Sequence, residues 1–385
     1  MNPIRLLAPA LAAAVVAIAP AAHAQLAISV NDNKVMLVNG TTRVVANAPA
    51  DTVTLIDLNV RPAVTVAEIA VPGSVVGPPL SVAITPDEGL ALVTAAQKVD
   101  PADPTKQTAD NRLSVIDLKA SPPAVIATLT TGKSPAGLSI NRQGTLALVA
   151  NREEGTVSVF TIQGKTVTPA GTVTIADAKS GVSHVTIAPG GKLALVSRDG
   201  DDRISVLSID GAKVEYTKRD MNAGLRPYGI DISANGAFAA VANIGRGQGD
   251  VDTVSLIDLK MTPPRVVETI SVGQTPEGIK VSPDNQHVAV VVMNGSNKPK
   301  SSPFYSDNGK LVMLKVSGSS ISKVAEAPIG HWSQGAAFST DGKTVLVGNM
   351  VEKDVQVFAW DGQTLRETAR IKVNGGSAAL RTAEK

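Results

Sequence analysis

The sequence predicts an all-β fold: seven four-stranded antiparallel sheets set radially around a channel, a seven-bladed β-propeller closed by its own C-terminal segment. Three observations predict it. A short apolar segment ending in Val recurs as VMLV (Val38), LALV (Val93), LALV (Val149), LALV (Val196), FAAV (Val241), HVAV (Val290) and TVLV (Val347). These valines lie 45 to 57 residues apart, the length of four short strands with their turns, and such a period means a solenoid or a propeller. The composition agrees: aromatics are only 3% of 385 residues, and Val, Ala, Ile and Leu carry the hydrophobicity among 33 Gly and 24 Pro. That balance favours many short strands.

Residues 1–24 read as a signal peptide rather than as part of the fold. Arg5 supplies a positive start, LLAPALAAAVVAIAPAA an apolar run, and Ala22-His23-Ala24 a small-residue cleavage site. The run is about 17 residues and holds Pro9 and Pro20, which is marginal for a membrane span. No cysteine follows it, which excludes a lipid anchor. A periplasmic or secreted chain, residues 25–385, is the expectation, with no membrane span after cleavage. Removing Arg5 leaves 35 Lys and Arg against 34 Asp and Glu. Such balance gives no pull toward nucleic acid or an anionic surface. Zero cysteines exclude a disulfide framework, a thiolate nucleophile and Cys-ligated metal or haem.

Each repeat divides into four strands. Strand A alternates apolar residues, as in LSI (138–140), VTI (185–187), IDI (230–232), IKV (279–281) and AAF (336–338), the period of a pleated strand. A tight turn follows: TPDEG (85–89), NRQG (141–144), APGG (188–191), SANG (233–236), SPDN (282–285) or STDG (339–342). In these turns Pro pre-sets φ, Asp and Asn bond their own backbone, and Gly takes positive φ. Strand B is the Val-ended segment, with LAISV before Val38 read as the first strand A. Strand C is a run such as RLSVIDL (112–118) or TVSLIDL (253–259), and strand D an amphipathic stretch such as VVETISVG (266–273). No interval reads as a linker or separate helix, so residues 25–385 are expected to be one domain. The segment NGGSAALRT (374–382) resembles another strand A and is expected to pair with the first blade. Closure would cover an otherwise exposed edge.

The pattern of strand A, turn, strand B and strand C resembles the YVTN-repeat β-propellers and the broader lactonase-like seven-bladed propellers. The residues that carry the resemblance are SPDNQHVAVVVMN (282–294), INRQGTLALVANREEGTVSVFTI (140–162) and FSTDGKTVLVGNMVEKDVQVFAW (338–360). It extends over essentially all of residues 25–385.

Chain direction places the B–C and D–A connections on one face, here called upper. Long B–C connections are expected at 39–51, 94–111, 243–252 and 293–309, and long loops on a regular scaffold are the usual place for binding. The D–A connections share the frame x-x-Pro-x-Gly: KSPAG (133–137), LRPYG (225–229) and QTPEG (274–278) keep it, while SGVSH (180–184) and HWSQG (331–335) depart. His184 replaces the Gly; Tyr228 and Glu277 take the variable position; Arg226 precedes the Pro; His331, Trp332 and Gln334 fill the seventh connection, and Lys133 begins KSPAG. These residues are expected at one mouth, with Lys133, Tyr228, Glu277, His331, Trp332 and Gln334 as ligand contacts. Structural readings stand beside them. His184 could be a loop-capping histidine, Trp332 a packing plug, and Arg226 with Glu277 a rim ion pair contributing about 0–1 kcal/mol.

What the lactonase-like resemblance implies is sharper. SHVTIAPGGKLALVSRDGDDRISVLSID (183–210) is similar to that family's segment at His184 and Arg198. The resemblance makes His184 a base activating water, with Arg226 or Arg198 holding the anion of a carboxylate- or phosphate-bearing lactone. Tyr228 and Glu277 depart from the family's basic pattern.

No nucleophile elbow, haem-attachment, zinc-protease or phosphate-loop motif is present, and no cofactor is expected. Asp199, Asp201 and Asp202, or Asp250 and Asp252, could offer oxygens to calcium, without the spacing of a known loop. Two functions remain open: a monomeric scaffold binding a small molecule or a periplasmic protein at the upper face, or a lactonase-like hydrolase or lyase.

Overall fold

A computed structural model describes residues 25–385; the expected signal peptide at 1–24 lies outside the described residues. Seven four-stranded antiparallel sheets form the seven blades of a β-propeller, each ordered A–B–C–D from channel to rim. In blade 1, strand A is Gly376–Thr382, B is Leu26–Asp32, C is Thr52–Asp57 and D is Val64–Ala70. The strands A of blades 2 to 7 are Val82–Ile84, Pro135–Ile140, Val182–Ile187, Pro227–Ile232, Pro276–Val281 and Ser333–Phe338.

The residues dictate this order. Strand B is buried along its whole length in blades 3, 5 and 6, and over residues 90–96 in blade 2, because both faces meet neighbouring blades. Strand D alternates exposed and half-buried residues, as in Val64–Ala70, because its outer edge meets solvent. Among the described residues, seven apolar clusters form the core, one between each pair of adjacent blades. Each is built mostly from Val, Ile, Leu and Ala, which pack well on a pleated surface.

A second internal device recurs at the upper end of strand B. Asn31, Asn151 and Asn243 are buried there, and each amide donates to two hydroxyls of strand C. Asn349 sits alike, donating to Asp354 and Gln356. Pairing buried polar groups in this way avoids the cost of leaving them unsatisfied.

Two expectations are corrected. Leu26–Asp32 is strand B of blade 1, not strand A, and Val35–Val38 is no blade strand. It pairs with Thr41–Val44 as a separate hairpin on the upper face. Met36 and Val38 of that hairpin are exposed, so the apolar pattern alone did not distinguish it from a core strand. Nor is 94–111 an irregular loop. Strands Leu90–Asp100 and Asp103–Asp117 continue pairing as a long hairpin, with Gln97 opposite Ala109 and Val99 opposite Gln107.

Closure follows the expected route. Strand Gly376–Thr382 pairs antiparallel with Leu26–Asp32, Leu380 standing opposite Ser29. Leu380 is fully buried between blades 7 and 1. Leu380→Ala is therefore predicted to cost about 2–5 kcal/mol in denaturant unfolding. The matched change Val64→Ala, on an exposed outer-strand position, should stay within about 0.5 kcal/mol.

Candidate functional site

The inner strands pass so close that their sequence is constrained. In blades 3 to 7 the strand A residues paired to the Val of strand B are Leu138, Val185, Ile230, Ile279 and Ala336. Immediately before them stand Gly137, His184, Gly229, Gly278 and Gly335. A Cβ at Gly229 would lie 2.5 Å from the Glu277 carbonyl oxygen, and one at Gly278 would lie 2.2 Å from that of Gln334. Backbone packed against backbone leaves no room for a side chain there. The preceding position is free to vary, and it holds Ala136, Ser183, Tyr228, Glu277 and Gln334.

Two of these variable residues, Ser183 and Tyr228, gather with Arg152 and Asp199 from B–C connections and Arg226 from a D–A connection. Asp199, its side chain only 1% exposed, accepts from Arg152 at 2.5 and 2.9 Å, from Arg226 at 2.7 Å and from the Ser183 hydroxyl at 2.5 Å. Burial alone would raise the Asp199 pKa, but Arg152, Ser183 and Arg226 outweigh it and hold the carboxyl below its ordinary value. Two guanidiniums sharing one carboxylate leave a net positive charge. The Arg152 guanidinium also lies 5.6 Å from the centre of the Tyr228 ring, within cation–π range. Burial pushes the Tyr228 phenol up, so it stays protonated as a donor.

Glu277 and Gln334 complete the mouth. Burial pushes the Glu277 carboxyl up to about 7, against the opposing pull of Gln334, Arg226 and Arg152. Among the described residues no cation lies within ion-pair distance of it: Arg226, whose alternative reading is a rim ion pair with Glu277, turns to Asp199 instead. Gln334 is wholly buried, and neither Nε2 nor Oε1 makes a well-formed hydrogen bond within the protein. Such an orphaned amide is costly unless something else meets it.

The other expected residues lie elsewhere. His184 is fully buried, its ring pressed where a Cβ of Gly137 would stand, and both ring nitrogens lack partners. Burial first, and then Arg381, pushes its pKa well below the usual value. It is a neutral channel-wall residue. Arg198 does not reach the mouth. It occupies the place of the strand B asparagines, donating to Ser205 and Asp220 and pairing with Asp201 within blade 4. Lys133 pairs with Glu153 at 3.2 Å on the exposed rim, and His331 with Glu352 at 2.6 Å. Trp332 packs with Val35, Met293, Met350 and Ala378 beneath the upper-face hairpin. Of the aspartates weighed for calcium, Asp199 and Asp201 face arginines, and Asp252 accepts from the Thr275 amide.

Sequence reasoning missed Arg152, Ser183 and the binding partner of Arg226. A signal was present. The residue just past strand B is buried and apolar in blades 5, 6 and 7 (Ile244, Met293, Met350) but is Arg152 and Asp199 in blades 3 and 4. Blade 1 has Asp32 there, so charges in blades 1, 3 and 4 interrupt a column that is apolar in blades 5 to 7, and the two on adjacent blades 3 and 4 mark the site.

Linkage gives the pH dependence. Glu277 is protonated in folded and unfolded chains below about 4.3 and ionised in both well above about 7. Between these limits only the folded chain holds the proton, so this group makes stability fall as pH rises. The melting temperature of Glu277→Gln relative to the unchanged protein is predicted to climb between about pH 4 and 7 and then level. A constant difference over that range contradicts the prediction.

No protein-family profile matches the chain, and no curated protein matches it. Solved structures do match by shape. A Bacteroides fragilis protein provisionally assigned as a 6-phosphogluconolactonase aligns with TM-score 0.71 and 16% identity over 95% of this chain and 99% of its own. The periplasmic gluconolactonase of Pseudomonas aeruginosa aligns with TM-score 0.67 and 17% identity over 94% and 99%. Kuenenia stuttgartiensis hydrazine synthase aligns with TM-score 0.62 and 18% identity over 81% and 91%. At these identities the likeness is one of fold, and the fold is the seven-bladed propeller shared with lactonase-like proteins.

Proposed function

We propose that this protein is a small-molecule-binding propeller of the periplasm or extracellular space, taking a hydroxylated ligand at the upper channel mouth. The observation that carries the reading is the pair Gln334 and Glu277: neither polar atom of the buried Gln334 amide makes a well-formed hydrogen bond, its one polar neighbour being the Glu277 carboxyl, which has no cation within ion-pair distance. Around them Tyr228 supplies a donor and the Arg152–Asp199–Arg226 group one net positive charge. A few convergent polar groups on a rigid apolar scaffold are what a ligand pocket needs. Sugar acids and their lactones fit that set, since they offer hydroxyls to Gln334 and Tyr228 and an oxygen to the arginines. Localisation rests on the export signal read at residues 1–24.

A second reading is favoured by one feature. A carboxyl raised to about 7 at a channel mouth is poised as a general base, which makes Glu277 rather than His184 the group to activate water in a lactone hydrolase. The fold likeness to propellers named as gluconolactonases makes aldonolactones the first probes.

Calorimetric titration with gluconate, and an assay of gluconolactone opening, separate the readings. Binding is expected to weaken about tenfold or more in Gln334→Ala, with no turnover above the uncatalysed rate. Turnover abolished in Glu277→Gln and retained in His184→Ala would establish the second reading. Absence of binding and turnover across the aldonate and lactone series would overturn both.

A further inference from the structure

The lower mouth of the channel carries a second set of charges that the upper site does not use. Strand Gly376–Thr382 ends there, and residues 383–385 turn across the opening. Arg381 reaches over the channel from blade 1 to donate to the Leu138 carbonyl of blade 3 at 3.2 Å. Lys280 of blade 6 pairs with Asp231 of blade 5 at 3.0 Å and with Glu384 at 3.1 Å. Arg381 also pairs with Glu384. The chain of charges therefore alternates Asp231, Lys280, Glu384, Arg381 and sums to zero. His184, the remaining titratable group facing it, is uncharged.

A pocket of about 100 Å³ opens beside Glu384, lined among others by Arg142, Lys280, Ser282, Thr340 and Lys385. Two of these groups are unengaged. Arg142 has no carboxylate within ion-pair distance among the described residues. Ser282 is 1% exposed, yet its hydroxyl has no hydrogen-bond partner. The reason is local. In the equivalent turns Ser233 donates to Asn235 and Ser339 to Asp341, whereas Asp284 is drawn off by the His287 ring at 2.6 Å. Ser282 is thus left without its usual acceptor, at the wall of a pocket lined by cations.

We propose that this lower mouth is a binding site for a small carboxylate, held shut by Glu384 acting as a tethered stand-in for that ligand. Swinging residues 383–385 aside frees the buried Glu88 carboxylate from Lys385, with which it pairs at 3.1 Å, and at the far side leaves Lys280 and Arg381 facing Asp231, a local excess of one positive charge. An incoming carboxylate restores the balance at Lys280 and Arg381, accepts from the Ser282 hydroxyl, and extends a second polar group toward Arg142. Charge-assisted bonds of this kind are among the strong ones. Burial alone would push the Glu384 carboxyl up, but Lys280 and Arg381 hold it down to about 2, so the stand-in is an anion throughout the neutral range.

The test is calorimetric titration with glutarate at matched ionic strength. A tethered competitor acts at an effective concentration of order millimolar, so Glu384→Gln is expected to bind glutarate about tenfold more tightly than the unchanged protein. The chain ended at Ala383 should show the same gain, and serves if Glu384→Gln does not fold. Adding Arg142→Ala to either variant should remove most of the gain. Equal affinity with and without Glu384, heat that does not saturate, or a gain that survives Arg142→Ala would each overturn the proposal.

Discussion

The constraint on which the rest depends is the contact between neighbouring inner strands. Where a Cβ at Gly278 would stand 2.2 Å from the backbone of the next blade, the chain has no choice of residue. Seven sheets closed into a ring with short edges leave only the position one step earlier open to variation. That position faces the mouth, is buried except at the half-buried Glu277, and differs from blade to blade. The fold thus concentrates chemistry in a ring of variable residues and denies it to their neighbours. Blade 2 has Ser81 at the glycine's place and blade 4 has His184, whose ring is accommodated because blade 3 presents Gly137 to it.

The two ends of the channel solve the problem of buried charge differently. At the bottom, Asp231, Lys280, Glu384 and Arg381 neutralise one another in sequence, and the segment that closes the ring supplies half of them. At the top, Arg152 and Arg226 compete for a single carboxylate while Glu277 and Gln334 have only each other, without a well-formed bond. Buried polar groups cost free energy unless matched. A closed set at one end and an open set at the other give the ends different capacities: the top is ready for a ligand, and the bottom must release its own residue first.

Much of this was legible in the sequence, for a physical reason. Hydrophobic period, turn chemistry and spacing report the blades directly, and the frame of the D–A connections exposed Tyr228, Glu277 and Gln334 at its variable position. Val38 misled because a surface hairpin with one face on the core has the same alternation as a blade strand. Residues 94–111 misled because their polar composition suits an exposed hairpin as well as a loop. Arg198 and Arg226 could not be separated by residue type: one fills an asparagine's place inside blade 4, while the other turns to Asp199 at the mouth. Partners within a blade and across blades are set by three-dimensional register, which a single strand does not record.

The central claim is that ring packing leaves the mouth desolvated and incompletely paired, and Glu277 is the group that reports it. Its side-chain carboxyl can be followed by carbon-13 NMR through a pH titration, with Glu277→Gln assigning the signal. The account predicts a midpoint near about 7. A midpoint at the ordinary glutamate value, about 4.3, would contradict it.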